Sequence, residues 1–313
     1  MILNFTSFEK QRLDDFLRKN LPGAVDEPNV SNSKIRRLIV AGAVSVNKAQ
    51  VRRPAFELRG ISHIEVNYEK EKFLFEKQPD DVKFELSEKN ILFEDEFIIC
   101  VDKPALFPTE ETLAGGEKRD SLHAAVVRYL WKKNPGLRNP PYVGIMHRLD
   151  RETSGVILFT KQRSVNKEIQ RMFAEHDFIK NYLALCTDDT GKLRPGKEFS
   201  VEMFMNRISP KSHAAKWGSV SESSGGLYSR TDFCVLKEVF YGDKKFFLVR
   251  ANLFTGRTHQ IRVHLSCSGF PILGDVLYGG KPEKRVMLHS ARLEFRHPVS
   301  GELICVQSET PFC

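Results

Sequence analysis

The segment Gly144-Ile-Met-His147-Arg148-Leu149-Asp150-Arg151-Glu152-Thr153-Ser154-Gly155-Val156-Ile-Leu-Phe159 constrains the fold of this chain more than any other. Its last four residues form a short, wholly apolar strand, and the residues before the turn read as extended, so the segment belongs to a sheet. Between them lies a polar turn carrying His, Arg, Asp, Arg and Glu, which gathers several ionisable groups at one edge of that sheet. Reactive sites are built this way. A salt-bridged turn capped by Thr153 and Ser154 has the same composition and is the more frequent outcome, so the turn alone does not decide between the two.

The surrounding pattern sets the fold class. Ile91 to Pro104 reads as a strand, an acidic turn and a buried strand stopped by Pro104. Ser121 to Lys133 has helical apolar spacing, Asn166 to Glu175 predicts a further helix, and Tyr182–Leu185, Phe233–Leu236, Phe246–Val249 and Val286–Leu288 read as strands. Many strands with few helices predict an α+β domain over residues 91–313, with a mixed, largely antiparallel central sheet flanked by helices.

A smaller α+β unit is predicted over residues 1–70, joined by a charged linker at 71–90. Leu13, Phe16, Leu17 and Leu21 predict a helix from about residue 8 to 20, ended by Pro22-Gly23. Ser31 to Ser33 supply N-cap candidates for a second helix, with Ile35, Leu38 and Ile39 on its apolar side and Gly42 at its C-terminus. Val44–Val46 and Ile61–Tyr68 alternate as strands, with a turn at Asn47–Gln50. Residues 34–59 hold seven bases (Lys34, Arg36, Arg37, Lys48, Arg52, Arg53, Arg59) against Glu57, which is +6 of the chain's net +8. Such a patch suits a polyanion through counterion release, and it also suits a solvated basic face.

Several classes of function drop out. The six cysteines never form Cys-x-x-Cys, so neither a disulfide scaffold nor a cysteine-built zinc site is expected. No window approaches a membrane span and the N-terminus lacks a signal pattern, which predicts a cytoplasmic protein. Neither Gly-x-Gly-x-x-Gly nor a P-loop occurs, so no cofactor is expected. A second concentrated stretch, Leu253-Phe-Thr-Gly256-Arg257-Thr258-His259-Gln260-Ile261-Arg262-Val263-His264-Leu265, carries four basic or imidazole groups and no acid. As a helix start it could offer donors to phosphate or to a buried carboxylate. His-Glu-x-x-His is absent, so no metal is expected, and His147, His259, His264 and His289 are assigned structural or RNA-facing roles.

These motifs are recognisable together. His147-Arg-Leu-Asp-Arg-Glu-Thr-Ser-Gly155 closely resembles the signature of the RluA family of pseudouridine synthases, and Arg257-Thr-His-Gln-Ile-Arg-Val-His264 resembles its later basic motif. Lys180-Asn-Tyr182-Leu-Ala, Gly269-Phe-Pro-Ile-Leu-Gly-Asp275-x-x-Tyr278-Gly, Leu288-His289 and His297-Pro298 resemble further family elements in the same order. The run Ser33–Asn47 resembles the alpha-L RNA-binding domain first known from a small-subunit ribosomal protein. After Asp102-Lys-Pro104 the chain departs from the family pattern through residues 105–117, which puts the cleft rim in question.

The resemblance implies an RNA pseudouridine synthase that needs no cofactor and no metal, and acts on ribosomal or transfer RNA, as a monomer by default. It implies that Asp150 attacks the ribose or the uracil ring, and that Arg262 is its cationic partner, with Arg257 the second candidate. Tyr182 supplies a ring for stacking and a phenol for the proton leaving carbon 5. Arg148 would fill the space left by the flipped uridine, and His147, Arg257, His259 and the bases Lys34, Arg36, Arg37, Lys48, Arg52 and Arg53 would contact RNA. Two rivals stand beside this reading. A non-catalytic RNA-binding assembly factor would bind without isomerising. A glycoside hydrolase would use Asp150 and Glu152 as paired carboxylates, but cationic neighbours lower the pKa that a general acid needs raised.

Overall fold

The computed structural model describes residues 2–25, 30, 32–68, 81–111, 113–114, 117–209, 215–241 and 244–312. The chain divides into two compact units. The first comprises residues 1–79 with the stretches 113–118 and 210–214, and the second comprises 80–112, 119–209 and 215–313.

In the first unit the order is β1 (Ile2–Ser7), β2 (Gln11–Arg12), α1 (Leu13–Val25), α2 (Asn32–Val40), β3 (Val44–Val46), β4 (Ala49–Val51), β5 (Glu57–Leu58) and β6 (Ser62–Asn67). The antiparallel sheet runs β1-β6-β3-β4, while β2 and β5 form a separate ribbon. Leu13, Leu17 and Leu21 of α1, Ile35 and Ile39 of α2, and Ile64 and Val66 of β6 are fully buried in one core. Two expectations need correction. Helix α1 starts at Leu13 rather than near residue 8, because Gln11 and Arg12 pair with β5 and the Leu13 N–H donates to the Phe56 carbonyl at 2.8 Å. It also runs through Pro22 to Val25. Proline removes one helical N–H, and the burial of Leu21 and Val25 on either side holds the last turn despite that loss. Strand β1 had no sequence prediction.

The second unit begins within the stretch expected to be a linker. Residues 71–80 lie outside the described residues, but from 81 onward the chain is packed. Leu86 is in the core, Phe84 lies 5.4 Å from Phe107, and Asp81 pairs with Arg119 and Arg151. Here β7 (Ile91–Glu94) and β8 (Ile98–Lys103) form a hairpin whose acidic turn is held by Asp95 Oδ1, which accepts from the Phe97 and Ile98 N–H groups. Two short strands that belong to the first unit, β9 (Leu113–Ala114) and β10 (Glu117–Lys118), pair among the described residues only with each other. Helix α3 (Leu122–Lys133) follows, N-capped by Ser121, whose hydroxyl accepts from the Ala124 N–H.

The remaining elements are β11 (Gly144–Ile145), β12 (Ser154–Thr160), α4 (Asn166–Ala174), β13 (Ile179–Cys186), β14 (Glu198–Arg207), β15 (Trp217–Ser219), β16 (Leu227–Tyr241), β17 (Lys244–Leu253), α5 (Gln260–Cys267), β18 (Leu288–Arg296) and β19 (Leu303–Gln307). The large sheet runs β15-β14-β16-β17-β13-β18-β12-β8-β7, with β11 added on β12 and β19 on β18. Every pairing is antiparallel except β12 with β18, where only Ser154↔His289 and Gly155↔Ser290 are matched. All of β12 is buried, with β8 hydrogen-bonded along one side. The turn before β12 therefore emerges from an interior strand, the third from the β7 end of that order. Among the described residues no helix is long and apolar enough to cross a membrane.

Candidate active site

The charged turn between β11 and β12 is clamped from several directions. Leu149 is buried in the core, and Thr109 bonds its backbone on both sides, its hydroxyl donating to the Leu149 carbonyl at 2.8 Å. Lys103, 1 % exposed at the end of β8, donates to the carbonyls of Pro104, Phe107 and Arg151. Burial pulls its ammonium down to about 7, while the charges of Glu152 and Asp150 act in the opposite direction. The Arg285 guanidinium donates to Ser154 Oγ at 2.8 Å, and Ser154 Oγ lies 2.8 Å from His289 Nδ1. Gly155 has φ +108°, and a Cβ there would lie 2.2 Å from the Ser290 carbonyl oxygen, so only glycine allows β18 to approach this closely.

Helix α5 brings the opposite wall. Gln260 is 2 % exposed; its Oε1 accepts from Thr255 and from the Arg257 N–H, and its Nε2 donates to the Arg230 carbonyl and Thr231. One satisfied amide thus pins loop and helix start to β16. From the next turn Arg262, 4 % exposed, donates Nε and Nη2 to the two oxygens of Asp275 at 2.7 and 2.8 Å. Its Nη1 faces two carboxylates, Asp150 Oδ2 at 3.5 Å and Glu152 Oε2 at 3.6 Å. Burial would lower the Arg262 pKa, but Asp275, with Asp150 and Glu152 adding to it, more than offsets that, so this group is a fixed cation. Burial would raise the Glu152 carboxyl, and Arg262 and Arg151 outweigh that and hold it below the usual range. A group so held is a poor general acid, which argues against Glu152 in that role of a glycosidase pair.

Asp150, Arg262 and Tyr182 line one cleft of about 1260 Å³ within the second unit, together with Arg148, Arg257 and His259. Tyr182 lies beside a bulge in β13 opposite Ser290 and is hydrogen-bonded to it. Burial, followed by the Asp150 charge, pushes its phenol up to about 12. Arg148 is exposed and ion-paired to Glu110, which belongs to the stretch that departs from the family pattern. The Arg257 Nε donates to the Tyr228 carbonyl at 3.0 Å.

Two histidines expected to face RNA have other duties. His147 Nε2 accepts the Leu158 N–H at 3.0 Å, on a stretch of β12 that has parted from β18, and its ring lies 4.9 Å from Phe173. Burial takes its pKa down to about 3, so it offers phosphate no cation. His259 is bonded through Nδ1 to the Tyr278 hydroxyl at 2.8 Å, with Nε2 3.9 Å from Asp150 Oδ2. Both rings still border the cleft.

Of the bases in the first unit, Arg36 is exposed with its Nε 3.8 Å from Asp14, and Arg52 donates to Gln50. Lys48 is at the tip of the β3–β4 turn, where Asn47 and Lys48 both have positive φ, and Arg53 is exposed. Lys34 is half-buried, and the Arg37 side chain lies outside the described residues. Sequence reasoning gave no roles to Asp275, Tyr278 or Lys103, and gave Glu152 one only in the glycoside hydrolase reading. Asp275 and Tyr278 stood in a recognised motif, and Lys103 stood beside Pro104, so their positions were visible and their contacts were not.

Asp150 thus faces the buried Arg262 guanidinium at 3.5 Å in a cleft of the mixed sheet, and comparison with known proteins supplies the class. Residues 97–267 match the family described as RNA pseudouridylate synthase. An uncharacterized RNA pseudouridine synthase of Mycoplasma pneumoniae is 32% identical over 94% of this chain and 87% of its own length. Ribosomal large subunit pseudouridine synthase C of Escherichia coli K12 is 30% identical, covering 95% of this chain and 89% of that one. Human RNA pseudouridylate synthase domain containing 1 has the same fold, with TM-score 0.55 and 24% identity over 74% of this chain and 88% of its own. The chain belongs to the RNA pseudouridylate synthase family, and it is an enzyme of that class.

Proposed function

We propose that this enzyme converts particular uridines of ribosomal RNA to pseudouridine in the cytoplasm, with Asp150 as the acting carboxylate. The observation that carries the reading is the position of Asp150, on a clamped turn with the buried Arg262 guanidinium 3.5 Å away and Tyr182 lining the same cleft. The reaction breaks the bond between ribose and the base nitrogen, turns the retained uracil, and rejoins it through carbon 5, releasing that carbon's proton. Asp150 acts on the ribose or the uracil ring, and Arg262 provides the fixed counter-charge that such a step needs in a cleft. Tyr182 presents its ring to the uracil. Its phenol is protonated at neutral pH, so it handles the carbon 5 proton as a relay rather than as a phenolate. Arg148 takes the place of the base flipped out of the stack, after leaving Glu110.

The first unit is proposed to be an alpha-L RNA-binding domain, residues 1–70. Lys48, Arg52 and Arg53 on and beside the β3–β4 turn would add salt-sensitive affinity without choosing the uridine. Ribosomal RNA is favoured over transfer RNA because relatives such as the Escherichia coli protein are named ribosomal large subunit synthases.

The test is tritium release from total RNA labelled at carbon 5 of uracil, taken from cells lacking the gene. Wild-type protein is expected to release tritium, and Asp150→Ala to release none. Equal release by both would overturn the role given to Asp150, and salt-sensitive binding without release would favour a non-catalytic binder.

A further inference from the structure

His259 occupies a backbone conformation that side chains rarely adopt, φ 57° and ψ 19°, at the N-cap of α5. Strain of that kind persists where the surroundings over-determine it. The surroundings here are a directed chain of hydrogen bonds. The Trp217 N–H donates to the Tyr278 hydroxyl at 2.9 Å, and Tyr278 Oη lies 2.8 Å from His259 Nδ1. A phenol has one proton to give. Its oxygen already accepts from Trp217, and among the described residues the acceptor within reach is His259 Nδ1. The imidazole proton therefore belongs on Nε2, the nitrogen 3.9 Å from Asp150 Oδ2.

We propose that His259 is a positioning residue for Asp150, held by Tyr278 as the neutral tautomer whose Nε2–H faces the carboxylate. This rests on the reading of Asp150 as the acting group. Both close neighbours of Asp150, Arg262 Nη1 and His259 Nε2, approach the same oxygen, Oδ2. Oδ1 is thereby the oxygen assigned to the nucleoside. The 3.9 Å gap closes to a hydrogen bond when the reacting uridine seats. A neutral donor suits the place, since an imidazolium beside Asp150 would draw its charge from the reaction. The groups that act on the ring are Asp150 and Glu152 from the charged turn, Arg262 from α5, and Asp275 and Tyr278 from the segment after it. Burial lowers the His259 pKa, with Asp150 opposing, in agreement with a neutral ring at pH 7.

Nitrogen NMR of full-length protein labelled in histidine, with His259→Gln to assign the resonance, tests the tautomer directly. The expected result is a protonated Nε2 and an unprotonated Nδ1 through neutral pH. Tyr278→Phe keeps the ring and removes the hydroxyl that lies 2.8 Å from Nδ1. It is expected to give a mixed, more easily protonated imidazole, about a tenfold loss in kcat with KM held, and an acid limb of kcat moved to higher pH. His259→Gln, which retains an N–H near Nε2, is expected to keep more activity than His259→Ala. A wild-type ring protonated on Nδ1 or on both nitrogens overturns the proposal, as does a Tyr278→Phe enzyme with an unchanged tautomer, kcat and pH profile. Absence of tritium release by the wild type would instead overturn the isomerase reading, a result independent of the spectrum.

Discussion

Asp275→Asn isolates what holds Arg262 in place. The substitution preserves shape and removes one charge from a pair in which Arg262 is 4 % and Asp275 1 % exposed. In wild type, two charge-assisted bonds of 2.7 and 2.8 Å join Nε and Nη2 to the two carboxylate oxygens. An asparagine can accept only one of them, and its NH₂ then faces the other N–H, so a bond becomes a donor opposed to a donor. Breaking a buried pair from one side costs about 3–5 kcal/mol. Asp150 and Glu152 still face Nη1 at 3.5 and 3.6 Å, which places the expected loss at the low end, about 3 kcal/mol. For a unit of this size that corresponds to about 6–12 °C in Tm. The assay is urea unfolding with matched m-values, together with tritium release at saturating RNA. The guanidinium, no longer anchored, is expected to swing towards Asp150 and Glu152 and to lower kcat more than it raises KM. A variant that loses under about 1 kcal/mol and keeps its kcat would refute Asp275 as the anchor.

Gly155→Ala puts a Cβ 2.2 Å from the Ser290 carbonyl oxygen at φ +108°; a cost of about 1–3 kcal/mol from the backbone alone is expected, with the clash added, and an unchanged urea midpoint would contradict it. Folded-state pKa values of about 3 for His147 and about 4 for His264 lie below the ordinary histidine value. The unfolded chain therefore takes up those protons first, and stability that is full above about pH 6.5 declines as pH falls towards 4. His147→Gln is expected to flatten that decline by about 1.4 kcal/mol per pH unit in urea titrations, and an unaltered slope would show that His147 is protonated in the folded state. Glu110→Ala should lower KM for RNA at low salt by freeing Arg148, the gain fading as salt rises, whereas Arg148→Ala should slow turnover without altering Tm; a salt-independent KM or unimpaired turnover would remove Arg148 from the cleft chemistry.

The parts legible in the sequence were those governed by local periodicity or by recognisable motifs. The strand at Val156–Phe159 and the helix after Ser121 announce themselves through apolar spacing and a cap. Helix α1 was misplaced because its start depends on β5, whose residues come more than forty positions later, and its end depends on burial outweighing a proline. The same holds for the cleft. The sequence brings Asp150 and Arg262 forward by resemblance, but Arg262 is held chiefly by Asp275, and the tautomer of His259 is set by a hydroxyl and a backbone N–H from two further segments. The particular contact of His147 was hidden for a related reason: its use as an acceptor follows from β12 parting from β18, which no pattern near residue 147 records.

The two-residue parallel contact between β12 and β18 also has a consequence in time. Ser154 and His289 are 135 positions apart, and the turn bearing Asp150 depends on that contact for its footing. A ribosome adding roughly 5–20 residues per second needs on the order of ten seconds to travel from one to the other. For most of that interval the nascent chain displays the charged turn without Arg262 and Asp275, and throughout it without β18. The site is therefore complete only once β18 has been made, and a chain stalled before it would hold Asp150 on a turn without its footing.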